Sequence, residues 1–248
     1  MSEEVKGIIL AGGEGTRLRP MTSLISKQLL PIYNKPMILF PLNVLVDAGI
    51  EEILIITKPN ELENFKKLIG DGSKWNIKID YLTQKKSSGI AEALIIAKKW
   101  LNNSRSLLIL GDNLFFGKNL SRILRDTFQK TVGARIFGFK APHPERFGVV
   151  VFDENNEIKH IEEKPEIPKS NWVVTGLYYY DEKAPELAEN LIPSGRGELE
   201  ITDLNNEYLR INQLDIELLD KNFTWLDTGT PDALLEASNY VKRIEDQK

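Results

Sequence analysis

The feature that most constrains the fold is an apolar run that ends abruptly in a glycine-rich loop, G-I-I-L-A-G-G-E-G-T-R-L-R at residues 7–19. Residues 8–11 show no alternation of polar and apolar side chains, as in a parallel strand that is covered on both faces. The glycines that follow allow the backbone to approach a ligand and to direct N–H groups at it. Arg17 adds a guanidinium group that suits phosphate oxygens. The segment therefore predicts a buried strand that leads into a phosphate-binding loop.

This loop matches neither of the two common nucleotide-binding motifs. Leu18 stands where G-x-G-x-x-G requires its third glycine, which argues against a dinucleotide-binding dehydrogenase, and no Gly-Lys-Ser/Thr follows as in a P-loop. A glycine-rich turn that binds no ligand is the alternative that the residues themselves leave open, because glycine is common after a buried strand.

The pattern of the first half indicates the fold class. Further apolar runs at 53–57 and 107–110 are separated by segments with helical periodicity at 60–69 and 88–101. This alternation predicts an α/β fold with a Rossmann-like, doubly wound, mostly parallel sheet, in which ligands bind beyond the carboxyl ends of the strands. After about residue 130, strand-like runs follow one another with short connections, which predicts mixed or antiparallel pairing.

Composition limits the size of the domain and the kind of partner. With 248 residues, of which 42% are apolar, the chain can form one large domain over 1–248. The net charge of −4 provides no general field for nucleic acid or an anionic membrane, so a small-molecule partner is expected. The absence of cysteine excludes a thiol nucleophile and a cysteine-based zinc site. No apolar stretch is long enough to cross a bilayer and no signal peptide is evident, so we expect a cytoplasmic protein.

Two aspartates follow apolar runs and are candidate metal ligands. Asp112 lies in G-D-N and Asp227 in L-D-T-G. Their carboxylates are hard oxygen ligands of the kind that Mg²⁺ requires, and two of them can share one ion. The alternative is ordinary turn or cap chemistry, because aspartate beside glycine or asparagine is common in turns.

Two lysines are candidate phosphate ligands. Lys27 follows a long loop that can fold over the ligand of Arg17, and two cations would offset the charge of a triphosphate. Lys164, in E-E-K-P, would hold a second phosphate while Glu163 accepts hydrogen bonds from sugar hydroxyls. The alternatives are a solvated surface lysine for the first and an ordinary charged loop for the second.

Motifs spread over nearly the whole chain resemble those of one family. They are L-A-G-G-E-G-T-R-L-R-P (10–20), S-K-Q-L-L-P-I-Y-N-K-P-M (26–37), Y-L-T-Q (81–84), G-I-A-E-A (89–93), L-G-D-N-L-F-F-G (110–117), P-E-R-F-G-V-V (144–150), E-E-K-P (162–165), K-S-N (169–171), T-G-L-Y (175–178), R-G-E-L-E-I-T-D (196–203) and W-L-D-T-G-T (225–230). In this order they closely resemble the sugar-phosphate nucleotidyltransferases, most specifically those that act on glucose 1-phosphate and dTTP.

The resemblance implies a nucleotide-diphospho-sugar transferase fold, with a nucleotide-binding half at about 1–130 and a sugar-phosphate-binding half at about 131–248. It implies transfer of a thymidylyl group from dTTP to glucose 1-phosphate, giving dTDP-glucose and pyrophosphate, with Mg²⁺ as cofactor. A uridylyltransferase, a broader hexose-1-phosphate nucleotidyltransferase and a catalytically silent nucleotide-sugar sensor are the alternatives. The sensor would be expected to lose a metal aspartate or a phosphate lysine, and this sequence keeps them.

The resemblance also implies site residues. The catalytic residues would be Arg17, Lys27 and Lys164, and the metal ligands would be Asp112 and Asp227. The nucleotide-binding residues would be Leu10, Gly12, Gly13, Gly15, Thr16, Arg17, Lys27, Gln28, Gln84 and Gly89. The sugar-binding residues would be Asn113, Gly148, Glu163, Lys164 and Val174.

The sequence departs from the family pattern at three places. Phe147 stands where many members have tyrosine, and Glu92 replaces a commonly seen glutamine beside the base-binding turn. Many members continue into a helical tail, whereas this sequence ends at Lys248, so we expect a short form. The regulatory nucleotide site and the tetramer that family members form with that tail are therefore not inferred for this chain. Self-association as a homo-oligomer is left open.

Overall fold

The computed structural model describes residues 4–247, in which a central sheet carries helices on both faces. The strands are β1 (Val5–Ala11), β2 (Pro31–Ile32), β3 (Lys35–Pro36), β4 (Glu52–Thr57), β5 (Lys78–Thr83), β6 (Arg105–Leu110), β7 (Asn113–Phe116), β8 (Ala134–Lys140), β9 (Gly148–Phe152), β10 (Ile158–Glu163), β11 (Trp172–Tyr180), β12 (Leu214–Leu218) and β13 (Thr224–Asp227). The helices are α1 (Leu39–Asp47), α2 (Leu62–Ile69), α3 (Glu92–Leu101), α4 (Leu120–Lys130), α5 (Ala184–Glu189), α6 (Ile201–Arg210) and α7 (Pro231–Glu245).

The main sheet confirms the predicted mixture of parallel and antiparallel pairing. Its principal order is β10-β9-β11-β6-β1-β4-β5, and β8 and β12 extend it from β11. Strands β6, β1, β4 and β5 are parallel, whereas β11 pairs antiparallel with β6, β8 and β9. The parallel strands therefore end together at one edge, where β1 opens into the glycine loop.

Strand β1 is buried on both faces, which explains why its sequence shows no alternation. Ile8 and Leu10 pack into the core layer that contains α3, α5 and α6. Ile9 and Ala11 pack into the opposite layer, which contains α1, α2 and α4. Full burial of a side chain such as isoleucine stabilises the fold by about 1.5–3 kcal/mol, so a polar residue on either face of this strand would be costly.

The edge of β11 is interrupted where the cleft opens. Val173 pairs with Val149 of β9, and the segment 177–180 pairs with β6. The opposite edge of β11 pairs with β8, at 172–174 and at 178–180. Strands β9 and β6 therefore pair with the same edge of β11, β9 near its beginning and β6 near its end. Residues 174–176, between these two pairings, line a cleft instead of pairing on that edge.

Some elements differ from the sequence-based expectation. Helix α3 begins at Glu92 rather than at Ser88, because the preceding residues pair with another loop: Leu199 N donates to Ser88 O at 2.7 Å, and Ala91 N donates to Leu199 O at 3.2 Å. Helix α4 and strands β7 and β12 were not anticipated. Across the part of the chain that the structure describes, no helix is both long and apolar enough to traverse a bilayer.

Candidate active site

A cleft of about 640 Å³ lies beyond the carboxyl ends of the parallel strands. It brings together most of the residues that the sequence singled out, namely Leu10, Gly13, Thr16, Arg17, Gln84, Gly89, Asp112, Asn113, Gly148, Glu163, Lys164, Val174 and Asp227. The remaining four predicted residues do not line it: Gly12, Lys27 and Gln28 are buried and Gly15 is half-buried. One concave surface therefore joins candidates from both halves of the chain.

The two candidate metal ligands are brought together by a small second sheet. Strand β13 pairs antiparallel with β7, which places Asp227 opposite Asn113. The next residue, Thr228, donates to the backbone oxygen of Asp112 from its N–H at 3.2 Å and from its Oγ1 at 2.8 Å. These contacts hold the two aspartates side by side, although they are far apart in the sequence.

The electrostatics of the two aspartates differ. Burial would raise the pKa of Asp112, but the ion pair with the buried ammonium group of Lys27 outweighs it and holds that pKa below the usual value. Burial and the negative charge of Asp112 raise the pKa of Asp227, despite the nearby Arg146 at 3.8 Å and Arg17. The charge of Asp227 is therefore only partly offset by the nearby cations, which favours a further cation beside it.

The donor set fits a hard divalent cation. Two carboxylates at strand ends supply oxygen ligands, and they face a cleft wide enough for phosphate. Within residues 4–247 there is no cluster of three or more histidine, cysteine, aspartate or glutamate side chains that could form a closed metal site. A cation held by Asp112 and Asp227 would therefore take its other ligands from water and from substrate oxygens.

The glycine loop positions Arg17 beside the aspartates. Gly15 adopts the left-handed conformation, with φ of 62°, at the start of a short 3-10 turn over Thr16–Leu18. Thr22 Oγ1 donates to Gly15 O at 2.7 Å and fixes this turn. A Cβ atom on Gly229 would lie 2.9 Å from Arg17 Nη2 and 3.1 Å from Asp227 Oδ2, so Gly229 leaves open a space that borders both the guanidinium group and the carboxylate.

A second charged cluster forms the other end of the cleft. Glu163 accepts hydrogen bonds from Lys164 Nζ at 2.7 Å, Thr202 Oγ1 at 2.6 Å and Arg196 Nη2 at 3.3 Å. Burial raises the pKa of Glu163, but the hydrogen bonds from Lys164 and Thr202 outweigh it and hold the pKa below the usual value. Lys164 has φ of 46°, a left-handed conformation that costs energy for a residue with a Cβ and is concentrated at functional sites.

Several residues that line the cleft were not among the candidates, and four of these make polar contacts with candidate residues: Arg146, Arg196, Thr202 and Trp225. Trp225 Nε1 donates to Asn113 Oδ1 at 2.6 Å, while Asn113 Nδ2 donates to Asp112 Oδ1 at 3.0 Å, so the indole orients an amide that contacts a metal candidate. All four lie in motifs that carried the family resemblance. Membership of those motifs was therefore the signal that all four share.

Comparison with known proteins shows the family. The model of the family described as Nucleotidyl transferase matches residues 6–244. A glucose-1-phosphate thymidylyltransferase of Neisseria gonorrhoeae is 51% identical over 97% of this chain and 84% of its own length. A protein of the same name from Xanthomonas campestris is 50% identical over 97% of this chain and 81% of its own length.

Solved structures agree with these matches. A candidate glucose-1-phosphate thymidylyltransferase from Bacillus anthracis, crystallised with sucrose, aligns with a TM-score of 0.87 and 40% identity over 95% of this chain and 94% of its own. A UDP-glucose pyrophosphorylase in complex with UDP-glucose aligns with a TM-score of 0.84 and 26% identity over 97% of this chain and 99% of its own. This chain belongs to the nucleotidyl transferase family.

Proposed function

We propose that this chain transfers the thymidylyl group of dTTP to glucose 1-phosphate, which yields dTDP-glucose and pyrophosphate. The observation that carries the proposal is a single cleft in which paired aspartates lie between an arginine-bearing glycine loop and a second cationic cluster at Lys164 and Arg196. Such a cleft suits two phosphate-bearing substrates. The names of relatives that are 50% or 51% identical over most of the chain support this choice of substrates.

Each charged residue has a proposed role. Arg17 and Lys27 hold the triphosphate, and Lys164 holds the sugar phosphate together with Arg196. Asp112 and Asp227 hold a divalent cation, which we propose is Mg²⁺ and which neutralises phosphate charge when bound.

The other candidates keep the roles that the family resemblance implies. Leu10, Gln84 and Gly89 face the pyrimidine, and Gly12, Gly13, Gly15, Thr16 and Gln28 form or support the phosphate loop. Asn113, Gly148, Glu163 and Val174 face the sugar. On this assignment the half at about 1–130 binds the nucleotide and the half at about 131–248 binds the sugar phosphate.

The proposed reaction requires no covalent intermediate and no general base. An oxygen of the sugar phosphate, which is already anionic, forms a bond to the α-phosphorus of dTTP as the bond to the β-phosphate breaks and pyrophosphate leaves. The protein has to bring two anions into line and stabilise the charge of the transition state. The fixed cations of the cleft are suited to both tasks.

Pyrophosphate release tests the proposal. We expect release when the protein is incubated with dTTP, glucose 1-phosphate and Mg²⁺, and loss of release when the cation is chelated. A matrix of nucleoside triphosphates against hexose 1-phosphates would define the specificity. Absence of release with every hexose 1-phosphate would refute nucleotidyl transfer by this chain. The cytoplasmic location and self-association stay predictions, and light scattering would test the latter.

Uridylyl transfer is the second candidate. The likeness to a UDP-glucose pyrophosphorylase with UDP-glucose favours it, since that alignment covers 97% of this chain. A glutamine beside a backbone turn, as at Gln84 and Gly89, reads thymine and uracil alike, so only the space for the C5 methyl group separates them. A kcat/KM for UTP above that for dTTP would support uridylyl transfer over thymidylyl transfer.

A further inference from the structure

The side-chain amide of Gln84 is held in one orientation by two neighbours. Gln84 follows β5 at the sheet edge and is only 4% exposed. Its Nε2 donates to Glu92 Oε2 at 2.6 Å and to Gly89 O at 3.1 Å. Glu92, the first residue of α3, does not line the cleft, whereas Gln84 and Gly89 do.

Both partners of Nε2 are acceptors. A backbone carbonyl and an ionised carboxylate have no hydrogen to donate, so they can be satisfied only by the amide nitrogen of Gln84. An amide rotated by 180° would direct Oε1 at two acceptors and lose both hydrogen bonds. The two contacts therefore determine which end of the Gln84 amide is Nε2 and which is Oε1.

The remaining atom of this amide is an unpaired acceptor. Within residues 4–247 no protein donor reaches Gln84 Oε1, which lies over the start of the glycine loop. A Cβ atom on Gly12 would be only 2.5 Å from it. The group offered to a ligand at this end of the cleft is thus an acceptor, with both amide hydrogens already used.

We infer that Glu92 is a positioning residue that fixes Gln84 as an acceptor and thereby selects pyrimidines that carry a hydrogen on N3. Uracil and thymine donate N3–H to Gln84 Oε1, whereas cytosine in the same register presents an unprotonated N3. A site built around a hydrogen bond discriminates strongly against an analogue that lacks the donor. This inference rests on the proposed function, from which it takes the position of the base.

The identity of residue 92 matters for this role. A glutamine there, as in many members of the family, can present either its oxygen or its nitrogen to Gln84 and would orient it less strictly. A donor-only side chain would favour the opposite orientation, in which Gln84 offers Nε2 to the base. The sequence of this chain thus carries the strictest of these arrangements.

The test compares dUTP with dCTP, which share the deoxyribose and lack the C5 methyl group, so they differ only at the edge that Gln84 reads. Binding is measured by calorimetry with Mg²⁺ and without sugar phosphate, so the result does not depend on transfer. The proteins are the wild type, Glu92→Gln as the conservative variant and Glu92→Lys as the donor variant. Glu189→Lys is the matched control. It makes the same charge change at an acid of α5 that pairs with Lys98, and Lys98 lies on α3, the helix that begins with Glu92.

We expect the wild type to bind dUTP at least about tenfold more tightly than dCTP. That ratio should fall about tenfold or more in Glu92→Lys, stay within about threefold of wild type in Glu92→Gln, and remain unchanged in Glu189→Lys. The added positive charge strengthens binding of both triphosphates alike, so it cancels in the ratio.

Two outcomes would overturn the inference. One is a wild type that binds dUTP and dCTP equally, and the other is a Glu92→Lys variant whose affinities for both nucleotides change in parallel, as a purely structural role would produce. Selective binding of dUTP by a protein that releases no pyrophosphate would support the inference while refuting the proposed function. Pyrophosphate release from dTTP by a protein that binds dUTP and dCTP equally would refute the inference while supporting the proposed function.

Discussion

Replacement of Asp227 by asparagine should separate stability from activity. Asp227 is 17% exposed, and its charge is disfavoured by burial and by Asp112. Asparagine keeps the shape and removes the charge, while the backbone pairing of β13 with β7 does not involve the side chain. In the absence of divalent metal, we expect Asp227→Asn to be more stable than the wild type.

The magnitude is limited by opposing contacts. Arg146 at 3.8 Å, together with Arg17, offsets part of the unfavourable charge, so the gain should be about 1 kcal/mol, as for other relieved charge conflicts. For a domain of this size that gain corresponds to roughly 2–4 °C in Tm. Turnover should fall about 100-fold or more, because an interaction that stabilises the transition-state charge is removed.

The raised pKa of Asp227 determines how the stability gain of Asp227→Asn depends on pH. Because the folded pKa of Asp227 lies above the unfolded value, folding takes up a proton between the two values, and the destabilising effect of the charge appears as pH rises through the folded pKa. The gain in Asp227→Asn should therefore be largest near neutral pH and should shrink as pH falls towards 3.8, the ordinary pKa of an aspartate.

Thermal denaturation in chelator and pyrophosphate release in Mg²⁺ provide the two measurements. Glu154→Gln, in the exposed turn between β9 and β10, is the control for the loss of one negative charge. Wild-type turnover in Asp227→Asn would refute the metal assignment. A lower Tm than wild type in chelator would refute the account of the buried charge.

Two further substitutions test the ends of the cleft. Lys164→Ala should raise the KM for glucose 1-phosphate about tenfold or more, because one charge-assisted hydrogen bond is lost, and should leave the KM for dTTP nearly unchanged; equal losses for both substrates would contradict the assignment. Gly229→Ala should lower kcat/KM for dTTP about tenfold with little change in Tm. The new Cβ would lie only 2.9 Å from Arg17 Nη2, so the guanidinium group has to move. Gly195→Ala, where a Cβ meets nothing within 4 Å, is the control, and equal activity of the two alanine variants would refute the role of that space.

The sequence predicted those parts of the fold that depend on local periodicity. The unbroken apolar run of β1 indicated burial on both faces. The alternation of apolar and polar residues at 77–81 is typical of an edge strand, and β5 lies at the edge of the sheet. Helix α4 was missed even though Leu120 and Leu124 recur at helical spacing and are buried. The start of α3 was misplaced because residues 88–91 are constrained by Leu199, a distant contact that no local pattern contains.

The site could be predicted only as separate pieces. Whether Asp112 and Asp227 meet depends on the register of β13 against β7 and on the contacts of Thr228 with the Asp112 backbone. The contact between Arg196 and Glu163 similarly depends on how the loop before α6 folds. Residue type and neighbouring strand ends indicated the chemistry, whereas long-range strand pairing determined which groups share the cleft.

The cleft is adapted to anionic substrates by pairing its cations in advance. Lys27 pairs with Asp112, and both Lys164 and Arg196 pair with Glu163. Lys27 is buried, and a buried cation without a partner would be costly, so Asp112 holds it at low cost. Lys164 and Arg196 are half-exposed, and Glu163 restrains their positions where a phosphate is proposed to bind. Binding then exchanges a carboxylate for a phosphate with little movement of the cation. This preorganisation accounts for the acidic residues beside Lys27, Lys164 and Arg196. Arg17 likewise has an acidic neighbour, because Arg17 and Asp227 both lie beside Gly229.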